Sequence, residues 1–401
     1  MKRIYFDHNA TTPVQAEVFE AMLPFLRDEW GNPSSIHWAG RAPRKAVEEA
    51  RDKVCRFLNC SAAELIFTSS GSESDNLAIK GTAFAKKSKG NHIITTKVEH
   101  PAVLNTCKYL EREGFEVTYL GVDADGMLSL DELRAAIRPQ TILITIMYVN
   151  NETGVIFPVD EIGKIAEVHA VTFHTDAVQA AGKLPLDVKL LRCDLLSISG
   201  HKLYAPKGVG ALYVKKGARL IPLIHGGHHE RNRRGGTENV SGIAGLGRAC
   251  EIAARDMDKE TERLGRLKHR LERGLMDRIP HVKLNGHSEK RIANTANLSF
   301  EFVEGESLLL NLDMIGIAAS SGSACTSGSL EPSHVLVSMG LTPEISHGSV
   351  RFSLGRANTE EEVDYLIEKM PPIVERMRGM SPLWNEAEKK GALIDFEKKS
   401  C

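Results

Sequence analysis

The chain has 401 residues, more than one ordinary hydrophobic core organises, so its length predicts two domains or one large domain with a substantial second lobe. With 42% hydrophobic and 26% charged residues, and 51 basic against 52 acidic side chains for a formal net charge of -1, the composition is globular and argues against a nucleic acid or an anionic membrane as partner. Residues 1–10 lack a signal-peptide core and no apolar run approaches the roughly 20 residues that span a bilayer, so the expectation is a cytoplasmic protein.

Between residues 64 and 214, apolar segments of strand length alternate with helical stretches, at 64–69, 91–96, 116–120, 141–148, 170–174, 195–199 and 210–214. That alternation predicts an α/β fold with a mostly parallel sheet flanked by helices. Ligands of such sheets sit beyond the carboxyl ends of the strands, so polar residues just after each strand are the candidates for chemistry. The glycine-rich stretch 226–236 breaks the pattern, and 257–279 reads as a charged helix with Leu264, Leu267, Leu271 and Leu275 on one face. A domain boundary is expected near its start. Strand-like 296–303, helical 305–314, strand-like 350–354 and a capped, acidic helix start at 359–370 then predict a second, smaller α/β lobe.

Residues 67–77 run from a strand through Gly71 into a helix, where free backbone N–H groups and the helix dipole favour an anion, with Ser70 and Ser72 as added donors. Alone, this is equally a capped helix start. Gly245-Leu-Gly247 lacks a third glycine and is no dinucleotide fingerprint. Asp176, at the end of a strand with Gln179 a turn later, can hold a heteroaromatic N–H⁺ and keep the ring protonated as an electron sink. A helix cap is the even alternative. Lys202 ends another strand beside Ser199 and His201, and lysine is the side chain that forms a Schiff base with an aldehyde cofactor. A surface lysine is the common alternative, but Lys202 joined with Asp176, Gln179 and the anion loop is far more specific.

His100, after the strand at 91–96, can stack on a flat ring and exchange protons, and Asn150-Asn151 can offer amides to a ring oxygen. Arg351 lies in a strand of the small lobe, where its guanidinium fork suits an amino-acid carboxylate as well as a plain salt bridge. Seven scattered cysteines without a Cys-x-x-Cys pair argue against a disulfide framework or a zinc ribbon. Cys325 lies in a Gly- and Ser-rich stretch expected to form a mobile loop, suited to a thiol that visits a buried cofactor and then delivers cargo. His225, His228 and His229 have no second ligand set, so no intrinsic metal is expected.

Thr175-Asp-Ala-Val-Gln, Ser199-Gly-His-Lys and Ser320-Ser-Gly-Ser-Ala-Cys-Thr-Ser-Gly-Ser-Leu-Glu-Pro-Ser-His together resemble the cysteine desulfurases of the class V aminotransferase group, over residues 5–384. Val98-Glu-His-Pro-Ala-Val, Phe173-His-Thr-Asp-Ala-Val-Gln-Ala, His201-Lys-Leu-Tyr-Ala-Pro-Lys-Gly-Val-Gly and Arg233-Arg-Gly-Gly-Thr-Glu-Asn are similar to the nitrogen-fixation type, NifS. The resemblance implies a fold type I pyridoxal-phosphate transferase, with the cofactor-binding large domain at 15–256 and a small domain at 257–401, joined by 1–14, that carries the catalytic cysteine. It implies Lys202 as the lysine bonded to the cofactor, Asp176 on the pyridine nitrogen, Gln179 and Asn151 near the ring oxygen, and His100 stacked on the ring. Gly71, Ser72, Ser199 and His201 would hold the phosphate, with Thr237 reaching it from the second subunit of a homodimer. Arg351 would take the carboxylate of L-cysteine.

Cys325 would carry the sulfur as a persulfide to an iron–sulfur scaffold protein, nitrogenase assembly being the expected destination, and could ligate a transferred iron–sulfur cluster. The same scaffold supports transamination and selenocysteine cleavage, and loss of catalysis in favour of an assembly role is the non-enzymatic alternative. Three features depart from the pattern. Ser72 stands where the family often has threonine, His8 where asparagine is frequent, close to the expected substrate entrance, and the tail 385–401 is similar in length to the housekeeping iron–sulfur desulfurases.

Overall fold

The computed structural model describes residues 3–321, 332–382 and 384–385. Its strands are β1 (Ile4–Tyr5), β2 (Leu65–Thr68), β3 (His92–Thr96), β4 (Glu116–Leu120), β5 (Thr141–Thr145), β6 (Thr172–Asp176), β7 (Leu195–Ser199), β8 (Gly210–Val214), β9 (Val282–Leu284), β10 (Thr295–Phe300), β11 (Ile317–Ala318) and β12 (Ser349–Ser353).

Every residue of β2, β3 and β5 to β8 is buried, as expected of strands covered by helices on both faces. These strands and β4 form one sheet in the order β2-β8-β7-β6-β5-β3-β4. Neighbours from β4 across to β7 pair in parallel, and β8 is antiparallel to both β7 and β2, so β8 alone runs against the rest. The carboxyl ends of β2, β3, β5, β6 and β7 therefore share one rim. All seven strands read from the sequence are present. β6 starts two residues later than expected because Ala170, at φ 52, takes a left-handed turn after the helix Val159–Val168, and this makes Asp176 the last residue of the strand.

A three-stranded antiparallel sheet, β12-β10-β9, and a parallel pair, β1-β11, build the second lobe. Its core gathers Phe6, Leu264, Leu271, Phe300, Phe352, Leu366 and Met370, apart from the large core around the main sheet. One helix, Val240–Met276, serves both: Ile243, Leu246 and Cys250 pack in the large core, and Leu264, Leu267, Leu271 and Leu275 in the small one. It begins 17 residues before the expected 257. The sequence pattern hid its first turns because Gly242, Gly245 and Gly247 are poor helix formers. Here they permit close packing: a Cβ on Gly247 would lie 2.7 Å from Ala50 Cα, and one on Gly245 would lie 2.9 Å from Met22 Cγ. Asn239 caps the start by accepting a hydrogen bond from Gly242 N at 3.1 Å.

The N-terminal segment straps the lobes together. It leaves β1, bridges Asp7 to Ser353 of β12, and reaches the large sheet where Thr12 N donates to His201 O at 2.9 Å. Among the described residues no helix is long and apolar enough to cross a membrane.

Candidate active site

The shared rim opens into a cleft of about 1020 Å³, its mouth included, lined by Asn9 and Ala10 of the strap, Ser70 to Ser72 and Asp75 after β2, His100 after β3, Asn151 after β5, Asp176 and Gln179 at and after the end of β6, Ser199, His201 and Lys202 at and after the end of β7, and Arg351 of β12. Of the residues singled out in the sequence, Gly71, Ser72, His100, Asn151, Asp176, Gln179, Ser199, His201, Lys202 and Arg351 thus meet in one place. Thr237 does not: it is exposed on a loop and lines no part of its own chain's cleft. Cys325 lies outside the described residues. The described positions on either side are anchored near the cleft, Ser320 by paired backbone hydrogen bonds with Arg351 and Ser333 by donating to Glu152 Oε2 at 2.5 Å.

At one end of the cleft the helix Gly71–Lys86 begins, capped by Ser70 Oγ, which accepts from Glu73 N at 3.1 Å. A Cβ on Gly71 would meet Val178 Cγ2 at 2.7 Å and Ser199 Cβ at 3.3 Å, so the glycine leaves open a cradle beside the free amides of the first turn. Ser199 Oγ is buried there with no hydrogen-bond partner among the described residues. An unpaired buried hydroxyl costs about 1–3 kcal/mol, and an anion in the cradle would satisfy it. Gly71→Ala is expected to weaken retention of a phosphate-bearing cofactor ~tenfold, the value of one charge-assisted hydrogen bond, when cofactor binding is titrated by protein fluorescence.

In the middle of the cleft Asp176 Oδ1 accepts from Val178 N at 2.9 Å. Burial pushes its carboxyl up to about 6, against the pull of the Lys202 charge. Asp75, which sequence reading passed over because it looks like an ordinary residue of a helix, shares this space. Burial and the neighbouring Asp176 charge raise its carboxyl well above the usual range, which favours its neutral form. A cation set against Asp176 would relieve both groups. His100 caps the helix Pro101–Arg112 by accepting from Ala102 N at Nδ1, 3.1 Å, which assigns the proton of the neutral ring to Nε2. Burial, then the charge of Lys202 and His334, hold it down to about 4, so it is neutral at physiological pH and able to accept a proton. His201 is likewise held to about 4 by burial and by Lys202.

Lys202 donates to Asn9 O at 2.5 Å and Ala10 O at 2.6 Å, held by the strap through two backbone carbonyls. Asn9, like Asp75, escaped the sequence reading. Its backbone O also accepts from Gln179 Nε2 at 3.0 Å, its Nδ2 donates to Thr295 Oγ1 at 2.9 Å, and its N donates to Ser353 Oγ at 2.9 Å. It follows no strand of the main sheet, so a search along strand ends could not reach it. Its neighbour His8, expected near the substrate entrance, is instead 4% exposed, edge-on to Tyr5, and faces a second chamber behind Lys202.

Arg351 closes the far end. Nη1 donates to Asn151 O at 2.9 Å and Nη2 pairs with Asp7 Oδ1 at 2.8 Å, while Nε is buried without a partner among the described residues. A cradle for phosphate, a carboxylate for a ring cation, a half-buried lysine and an arginine with a donor to spare form a donor set that fits pyridoxal phosphate carrying an amino acid.

Known proteins agree with this fit. The family model for aminotransferase class-V matches residues 4–366. The chain is similar to the cysteine desulfurase IscS of Methanosarcina thermophila, 56% identical over 382 residues that cover 95% of this chain and 94% of that one. It is similar to the cysteine desulfurase IscS of Clostridium botulinum at 53% over 387 residues, covering 96% and 98%. Among solved structures, a NifS-like protein superposes with a TM-score of 0.88 at 40% identity, covering 94% of this chain and all of that one. A structure described as SspA in complex with cysteine gives a TM-score of 0.79 at 39% identity, covering 88% and 99%. The chain therefore belongs to the class-V aminotransferases and, within them, to the pyridoxal-phosphate-dependent cysteine desulfurases.

Proposed function

We propose that this enzyme takes sulfur from L-cysteine through Cys325 and hands it on for iron–sulfur cluster assembly, with the residue roles that follow. The reading rests above all on the convergence of Lys202, Asp176, His100 and Arg351 on one cleft, each from a different strand end or lobe. When bound, pyridoxal phosphate supplies an electron sink next to the substrate's Cα. Lys202 would hold the cofactor's aldehyde carbon, and its ammonium, seated on the carbonyls of Asn9 and Ala10, would move the Cα proton. Asp176 would hold the ring cation, and neutral His100, which lines the same cleft, would lie against the ring and accept a proton. Gly71, Ser72, Ser199 and His201 hold the phosphate; Gln179 and Asn151 contact the ring oxygen.

Arg351 binds the substrate carboxylate with its spare Nε. The Cys325 thiolate attacks the sulfur of cysteine: a sulfur–sulfur bond forms, the Cβ–S bond breaks, and its electron pair leaves with the carbon skeleton, which takes up protons to become alanine. The outer sulfur stays on Cys325 as a persulfide.

Thr237 is exposed, and we assign it to the phosphate of a second copy of the chain, which makes the working enzyme a homodimer. We divide the chain into a cofactor-binding unit, 15–256, and a unit of 257–401 with 1–14 that carries Cys325, and place the enzyme in the cytoplasm. The acceptor in this reading is an iron–sulfur scaffold protein, with Cys325 able to ligate a transferred cluster. The IscS relatives at 53–56% identity favour general assembly over a role confined to nitrogenase.

Sulfide and alanine released from L-cysteine in the presence of a thiol reductant test the proposal. The intact enzyme is expected to give equal amounts of each, and Cys325→Ala at least tenfold less. Equal rates from both proteins would end the persulfide role of Cys325.

A further inference from the structure

Gln179 faces the cofactor cleft, but both ends of its amide are held from behind. Nε2 donates to Asn9 O at 3.0 Å, and Oε1 accepts from Lys183 Nζ at 2.9 Å. The Asn9 carbonyl only accepts, and Lys183 in its ammonium form only donates. The amide therefore has one satisfied orientation. In it, one Nε2 hydrogen is spent on Asn9 and the other is left for the cleft. Flipping the amide would set its oxygen against the Asn9 carbonyl and its NH₂ against the ammonium.

Lys183 lies four residues beyond Gln179, in the turn that Gly182 makes at φ 74, and does not line the cofactor cleft. It faces the neighbouring chamber with His8, Tyr204 and Arg356, and its second contact is Asn9 Oδ1 at 3.4 Å. Holding a lysine there is costly. Burial, then the charges of Lys202 and Arg351, lower its ammonium to about 7, and no carboxylate forms an ion pair with it among the described residues. A lysine kept in such surroundings without a counter-ion is not explained by fold stability.

We propose that Lys183 is a positioning residue for the cofactor: by holding Gln179 Oε1 it fixes the amide so that an N–H, and never the carbonyl oxygen, is presented to the ring oxygen of pyridoxal phosphate. This rests on the assignment of Gln179 to that oxygen. An amide held the right way adds a hydrogen bond to the developing negative charge on the ring oxygen, and a flipped one sets oxygen against oxygen.

The test compares the holoenzyme with Gln179→Ala, Lys183→Met and the double variant. It follows the position of the cofactor's visible absorption band and the rate of cofactor loss into cofactor-free buffer. Each single variant is expected to shift the band in the same direction and to lose cofactor ~tenfold faster, about one charge-assisted hydrogen bond. The double variant is expected to match Gln179→Ala, because Lys183 acts through Gln179. A native band and loss rate in Lys183→Met would overturn the proposal, as would a double variant whose loss rate multiplies the two single effects. A native band in Gln179→Ala would instead remove the assignment of Gln179 beneath it. Should Lys183→Met not fold, Lys183→Leu is read in its place against the same outcomes.

Discussion

Lys202→Ala is expected to lower sulfide release by more than a thousandfold, the largest loss of any single substitution in the cleft. Two functions end together: the covalent hold on the cofactor and the group poised to move the Cα proton, and the loss of a positioned proton carrier alone typically costs 10²–10⁴-fold. Removing the ammonium also releases the Asn9 and Ala10 carbonyls, and it lifts one of the charges that keep His100 near 4. Borohydride reduction of the native enzyme followed by peptide mass mapping should fix the cofactor on Lys202. The same treatment of Lys202→Ala should leave no lysine labelled, and a label on any other lysine would refute the assignment.

Asp176→Asn should divide stability from function. In the folded protein without cofactor, burial raises the Asp176 carboxyl from 3.8 to about 6, roughly two units or about 3 kcal/mol. The sign follows from linkage. A carboxyl whose pKa is higher folded than unfolded favours the fold below about 4, where it is protonated in both states, and loses that contribution as pH rises through about 6. At pH 7.5 the wild-type apoprotein therefore carries an unfavourable buried charge. The substituted amide keeps an acceptor for Val178 N and carries no charge, so the variant apoprotein is expected to melt a few degrees higher at pH 7.5 and to lose that advantage near pH 4. Activity should fall more than a hundredfold, because the ring cation would then face a neutral amide. Calorimetry of the two apoproteins at both pH values decides the first half. An equal or lower melting temperature for the variant at pH 7.5 would show that the carboxylate is not strained in the empty site.

What the sequence disclosed followed from how each signal is encoded. The seven strands of the main sheet were legible because buried strands between helices read as apolar runs of fixed length, and the residues at or after their ends gave nine of the residues that line the cleft. Lys202, Asp176 and His100 each end or follow such a strand. Asn9 and Lys183 were missed because their importance lies in partners far away in sequence or on the hidden side of a residue already found. The glycines of Val240–Met276 masked a helix whose packing requires them. Pro371 and Pro372 similarly suggested an end near residue 370, but the helix Glu360–Met380 continues through them. Ile373, Val374 and Met377 are buried in the small core, and that burial outweighs the lost backbone donors. Arg351 was read from its strand, but its pairing with Asp7 was not, since nothing local connects two residues of opposite ends of the chain.

The strap that holds Lys202 also sets a schedule for synthesis. Asn9 leaves the ribosome well before its partners, for its backbone N–H bonds to Ser353, 344 positions later, and its side chain to Thr295. At about 5–20 residues per second, the first segment waits on the order of twenty seconds to a minute before the strand that receives it exists. Until then the strap has only its contacts with the large lobe, such as Thr12 N to His201 O, and Asp7 waits for Arg351. A fusion that tethers the N-terminus away from β12 is therefore expected to delay the onset of activity more than the formation of the main sheet.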